Sequence, residues 1–213
     1  MEYLSSLLCQ ATRLAAEAHE GAFRKGSRMP YLLHAMETAE IVATMTMDED
    51  VLAAAVLHDV LEDTSVTEEE MRNTVGGHVT ELVMAVSEDK RAGQPPEETW
   101  RIRKQESVER LLRERRLEVK RVVLGDKLSN MRALQRDYDA LGEQVWERFH
   151  NPNKAEQGWY YQAMTDALQD LNSYPAWHEL ANLVWEVFWQ DRDSDQLRFD
   201  LDPRGRRELD MLW

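Results

Sequence analysis

AAAVLHDVLEDT, residues 53–64, decides how this chain is read. Its first half is a dense run of Ala, Val and Leu, the composition of a buried helix. A His or carboxylate carried into such a core needs a partner or a metal ion. His58 and Glu62 are four residues apart, as are Asp59 and Asp63. On one continuous helix beginning near Asp48, this spacing puts the His-Asp pair one turn before the Glu-Asp pair on the same face. A lone His-Asp doublet recurs by chance, so the flanking chain has to supply further donors.

Working outward, apolar periodicity predicts a helix over residues 4–20 and another over 31–46, the second containing His34 and led by Pro30 in its first turn. Between them lies a loop, AFRKGSRMP, with Arg24, Lys25 and Arg28 crowded together. TEEE at 67–70 has capping-box spacing and starts a short helix that ends at Gly76-Gly77. Residues 78–86 are again helical, and 87–98 read as a charged loop. A basic helix follows over 100–116, its Arg101, Arg103 and Lys104 read as a solvated face.

The helix predicted over 117–134 has a core face of Val119, Val122, Val123, Leu128, Met131 and Leu134. Asp126 lies among these apolar positions, and Asn130 follows four residues later on nearly the same stripe. Residues 138–171 give two further helices broken at HNPNK, and 175–190 form an amphipathic helix. After Asp191 the chain is polar. The fold class expected is all-α, with one domain over 1–171 and a C-terminal helical extension over 172–213 that packs on it.

The 213 residues carry a net charge of −14, which argues against bulk binding to nucleic acid. The charge is uneven. Residues 94–138 hold 12 basic and 8 acidic side chains, net +4, while the segments before and after are net −10 and −8. A small polyanion could be held by that block. No run approaches a membrane span, and the N-terminus lacks a basic start with a long apolar core, so a cytoplasmic protein with no membrane partner is expected. The single cysteine, Cys9, excludes an internal disulfide and reads as helix packing.

His34, His58-Asp59 and Asp126 fall on three different predicted helices, each near a core-facing stripe. Two imidazoles and two carboxylates suit Mn²⁺ or Fe²⁺, and Zn²⁺ less comfortably, with coordination positions left open. Glu62 and Asp63 are then placed to orient a bound water or carry its proton. The set H…HD…D resembles that of HD-domain phosphohydrolases, whose helical bundle is the implied fold. The wording is more particular. AHEGAFRKGSRMPYLLHAMETAEIV, AAAVLHDVLEDT, TVGGHVTELVMAVSEDK and VVLGDKLSNMRAL resemble, in order, four stretches of the (p)ppGpp hydrolase domain of the RelA/SpoT homologue superfamily. With no synthetase or regulatory region attached, the chain looks like a small alarmone hydrolase, the stand-alone group that includes the metazoan alarmone hydrolase.

That resemblance implies Mn²⁺ held by His34, His58, Asp59 and Asp126, with Glu62 and Asp63 as the catalytic pair. It implies a guanine nucleotide substrate contacted by Arg24, Lys25 and Asn130, and by an aromatic that is either Tyr160 or Tyr161. The implied reaction removes the 3′-diphosphate of (p)ppGpp, giving GDP or GTP and pyrophosphate. The chain departs from the family's frequent ADRLHNMR with GDKLSNMR, so Lys127 and Ser129 stand for Arg and His, changes expected to touch the substrate side. Two competing readings stay open on sequence alone. One keeps the metal and changes the substrate to another phosphorylated nucleotide, such as NADPH with its 2′-phosphate. The other is a non-catalytic nucleotide sensor or partner-binding protein.

Overall fold

The computed structural model describes residues 6–91 and 93–190, and the regular elements among them are helical. The polar stretch from Asp191 onward lies outside the described residues. In chain order the elements are α1 (Ser6–Ala18), α2 (Leu32–Ala43), α3 (Glu49–Leu57), α4 (Val60–Asp63), α5 (Glu68–Val75), α6 (Gly77–Val86), α7 (Pro96–Arg113) and α8 (Leu117–Leu141). A 3₁₀ run (Gly142–Arg148), α9 (Lys154–Ala167), a short 3₁₀ turn (Gln169–Leu171) and α10 (Pro175–Phe188) complete it.

α3 is the centre of the core. Every residue from Val51 to Leu57 is buried, and α1, α2, α6 and α8 pack around it. An apolar helix with no polar face can exist only where neighbours cover it on all sides. α8 is the long spine, in contact with α2, α3, α6 and α10. It runs to Leu141 rather than stopping near Leu134, because the buried stripe Met131, Leu134, Tyr138 continues one more turn before Gly142 ends the helix in the left-handed region (φ 59°). The segment expected as a helix just after it is therefore the end of α8 followed by 3₁₀ turns. α10 lies across α8 and α9, and Leu180, Leu183, Val184 and Val187 are its buried face.

Two further expectations are corrected. The helix through residues 53–64 is not continuous: it is interrupted at His58-Asp59, where Asp59 has φ −101° and ψ −3°. The His58 ring Nδ1 lies 2.9 Å from the Ala55 carbonyl, the acceptor that an unbroken helix would offer to the Asp59 N–H. α4 then restarts with Asp63 N–H donating to the Asp59 carbonyl. Cys9, expected to pack, is exposed, because the core-facing positions of α1 are Ala11 and Ala15.

Gly125 sets the distance between the two helices that carry His34 and Asp126. A Cβ at this position would lie 2.8 Å from both the Thr38 carbonyl oxygen and Val42 Cγ2 on α2. Gly125→Ala is thus expected to push α2 from α8, costing about 1–3 kcal/mol. The loss would be read as a lower urea midpoint, together with weaker metal binding.

Candidate metal centre and adjoining pocket

His34 sits in the first turn of α2, His58 and Asp59 at the break between α3 and α4, and Asp126 in mid α8. The packing of α2, α3 and α8 brings them together. Donor atoms of His34, His58 and Asp126 all lie within 4.8 Å of one another. His34 Nε2 is 3.3 Å from Asp126 Oδ1 and 3.7 Å from Asp59 Oδ2, while His58 Nε2 is 2.9 Å from Asp59 Oδ2 and 3.6 Å from Asp126 Oδ1. Two donors held at ~2.1 Å by one ion stand roughly 3.0–3.4 Å apart in cis-octahedral to tetrahedral arrangements, so these separations suit a shared cation.

The state of the two imidazoles supports the fit. His58 places Nδ1 on the Ala55 carbonyl, and its Nε2 is buried and makes no hydrogen bond. His34 Nδ1 is 2.8 Å from Ser129 Oγ, which itself donates to Glu37 Oε2 at 2.8 Å. The chain Glu37–Ser129–His34 thus assigns the proton to Nδ1 and leaves Nε2 as a lone pair toward the cluster. Burial lowers the pKa of His34. Burial acts on His58 in the same way, but Asp59 and Asp126 outweigh it and raise that imidazole well above its ordinary value. Two carboxylates that must draw a proton onto a buried ring are short of a cation. These residues accordingly suit a divalent ion.

Ser129 was expected on the substrate side and is instead fully buried behind His34, where it orients the ring. Sequence reasoning also passed over Tyr31, the N-cap residue of α2, whose ring packs edge-on against that of His34. Its hydroxyl donates to Asp59 Oδ2, and burial, with Asp59 beside it, pushes its pKa up.

The cluster opens into a cleft of about 220 Å³ lined by His58, Asp59, Glu62, Asp63, Asp126 and Tyr160, among others. Glu62 accepts from the Glu88 N–H at 2.9 Å and lies 3.5 Å from Lys90 Nζ, and Lys90 also donates to Asp63. Burial, then the charge of Asp59, raises the pKa of Glu62, so this carboxyl keeps a proton more readily than an exposed Glu.

Asn130 lines this cleft and also a second cavity of about 180 Å³, lined by Arg24, Lys25, Arg148, Phe149 and Tyr161. Arg24 donates to Asn130 Oδ1 at 2.7 Å, and Asn130 Nδ2 donates to Asp126 Oδ1 at 2.5 Å. The loop carrying Arg24 and Lys25 is held as a narrow turn by Arg24 N–H to the Met29 carbonyl and Tyr31 N–H to the Ala22 carbonyl. Arg148 closes against Gly26 so tightly that a Cβ there would lie 2.8 Å from its Cδ. Consecutive residues of α9 point to different cavities: Tyr160 faces the metal cleft, Tyr161 the basic pocket.

Of the three α7 side chains expected on a solvated face, Arg101 is exposed while Arg103 and Lys104 turn inward. Arg103 is buried, and both it and Lys104 bond Glu88, which also accepts from Ser107, while Arg101 stacks on Trp159. Burial would raise the pKa of Glu88, but Lys104, Arg103 and Lys127 outweigh it and lower the value. Because the folded-state pKa is depressed, this contribution to stability is present above the ordinary Glu value of about 4.3 and is lost as pH falls through the folded value. Glu88→Gln is expected to cost about 1–3 kcal/mol at pH 7, and the gap from wild type in urea melts should close as the pH drops below 4.

Comparison with known proteins agrees with this geometry. A family model described as "HD domain" matches residues 11–154, which include all four clustered donors. The chain belongs to the HD-domain family. Among curated relatives, guanosine-3′,5′-bis(diphosphate) 3′-pyrophosphohydrolase of Haemophilus influenzae is 37% identical over 127 residues, 57% of this chain and 18% of the relative. The bifunctional (p)ppGpp synthase/hydrolase SpoT of Escherichia coli K12 is 45% identical over 80 residues, 38% of this chain and 11% of that protein. The chain thus spans less than a fifth of the length of these relatives. A solved structure described as a metazoan ortholog of SpoT that hydrolyzes ppGpp superposes with a TM-score of 0.69 at 24% identity, covering 87% of this chain and 97% of that one. The crystal structure of lmo0812 from Listeria monocytogenes EGD-e gives 0.64 at 28% identity over 74% of this HD-domain chain and 99% of that one. No helix among the described residues is long and apolar enough to cross a membrane.

Proposed function

We propose that this HD-domain protein is a cytoplasmic, metal-dependent 3′-pyrophosphohydrolase of guanosine tetra- and pentaphosphate alarmones. The observation that carries the reading is the abutment of two cavities at Asn130, one with metal donors and paired carboxylates, the other basic and aromatic. A nucleotide with a phosphorylated 3′ position needs both halves at once. The names of the curated relatives support the same substrate.

In this reading His34, His58, Asp59 and Asp126 hold the ion, with Mn²⁺ the first choice and Fe²⁺ or Zn²⁺ the others the donors accept. The ion supplies a water of lowered pKa and charge to offset the phosphoryl oxygens. Glu62 and Asp63 orient and deprotonate water at the reacting phosphorus. The bond from that phosphorus to the 3′-oxygen breaks, water leaves its OH on the phosphorus, and its proton goes to the 3′-oxygen through Glu62. Arg24, Lys25, Asn130 and Tyr161 hold the nucleoside end. The catalytic domain covers 1–171, and residues 172–213 form an extension whose helix α10 braces α8.

The test is release of phosphate and pyrophosphate from ppGpp, pppGpp, NADPH and nucleoside monophosphates, with Mn²⁺ and after chelation. Pyrophosphate from ppGpp that vanishes on chelation is the expected result. Turnover confined to NADPH, or none on the whole panel, would sink the reading. On this assignment Arg24→Ala raises KM for ppGpp at least tenfold with kcat little changed, since it removes a charged hydrogen bond distant from the reacting phosphorus.

A further inference from the structure

We propose that Lys104 on α7 and Lys127 on α8 form a separate subsite for the diphosphate group that is removed, distinct from the Arg24–Lys25 pocket that holds the nucleoside end. The proposal rests on the alarmone reading of the cleft. Both lysines line the cavity that contains Glu62, Asp63 and the metal donors. Their ammonium groups converge on one ring from two helices: Lys104 Nζ is 5.0 Å and Lys127 Nζ 5.6 Å from the centroid of Tyr160.

Each cation is anchored by a carboxylate that fixes its position. Lys104 donates to Glu88 Oε2 at 2.9 Å, and Lys127 donates to Asp126 Oδ2 at 2.6 Å. An ammonium has three donors and one of each is used there, so each retains N–H groups for a ligand in the cleft. The same cavity is lined by the carboxylates of Asp59, Glu62, Asp63, Glu88, Glu114 and Asp126. Lys90 pairs with Glu62 and Asp63, Arg103 with Glu88 and Arg116 with Glu114. A polyanion entering beside these acids is held where lining cations keep unused donors, which Lys104 and Lys127 do. The lysines therefore decide where the phosphates lie: toward α7 and α8, with the acids of α4 left facing the water. Both lysines belong to the basic block of the sequence.

Lys104 is the residue to change, because Lys127 touches Asp126. Titration calorimetry of inorganic pyrophosphate and, separately, of GDP into the dialysed Mn²⁺-loaded protein distinguishes the two halves. Lys104→Gln should weaken pyrophosphate about tenfold or more and leave GDP unchanged, with Lys104→Arg restoring most of the loss. Lys25→Gln should do the reverse, weakening GDP alone. Unchanged pyrophosphate affinity in Lys104→Gln, or an equal loss for both ligands, would overturn the subsite. The thermal melt of each variant excludes unfolding as the cause. Failure of the alarmone reading is separable: wild-type protein would then release no pyrophosphate from ppGpp, whereas the Lys104 dependence of pyrophosphate binding is measured without turnover.

Discussion

Asp126→Ala is expected to abolish turnover, by about 10³-fold or more, and to leave the purified protein without bound metal. Asp126 is the point at which the cluster is tied together: its Oδ1 faces both imidazoles and accepts from Asn130, and its Oδ2 accepts from Lys127. Removing the carboxylate deletes a donor, frees the Asn130 amide and leaves the mostly buried Lys127 ammonium without its counter-charge. The diagnostic measurement is the effect of a chelator on Tm. In wild type, an ion present at ~100 times its Kd stabilises the fold by about 2.7 kcal/mol, so chelation should lower Tm. In Asp126→Ala the chelator should have no effect. An active variant, or one whose Tm still responds to chelation, would mean that the ion sits elsewhere.

Glu62→Gln should behave differently, retaining metal and fold while kcat falls by about 10²–10⁴. The glutamine can still accept the Glu88 N–H, so the local backbone keeps its partner. Only proton exchange is lost. Because burial, then the charge of Asp59, raises the pKa of Glu62, its carboxylate takes up a proton sooner than an exposed Glu as pH falls. Wild-type kcat should therefore decline as pH falls through that raised value, and the decline should be missing from the residual activity of Glu62→Gln. An unchanged acid limb in the variant would reassign the base to Asp63.

The donors of the candidate site could be read from the sequence because each is an ionisable group on an apolar helical stripe, where chemistry and burial conflict in plain view. His34, His58, Asp59 and Asp126 all met that description, and the structure brings them together. What was not legible depended on who answers whom. The break at His58-Asp59 follows from a ring nitrogen taking a backbone acceptor, which no periodicity encodes. Ser129 looked like a lost substrate contact until its place behind His34 was visible. Tyr160 and Tyr161 are neighbours in sequence, and only the seating of α9 sends them to different cavities. Arg103 and Lys104 of α7 read as a solvent face in the sequence because their partner, Glu88, lies 15 or more residues away across a loop.

Asn130 gives the molecule a form of internal signalling. An amide is a dipole with one accepting and one donating end, and here Arg24 fixes the first while Asp126 fixes the second. Reversing it would set NH₂ against a guanidinium and oxygen against a carboxylate, so each contact reinforces the amide orientation that the other needs. Loss of Arg24 would remove one of the two restraints on the amide while the bond to Asp126 persists. The side-chain nitrogen resonance of this single asparagine should then register occupancy of either cavity, and would serve as a spectroscopic reporter for the whole cleft.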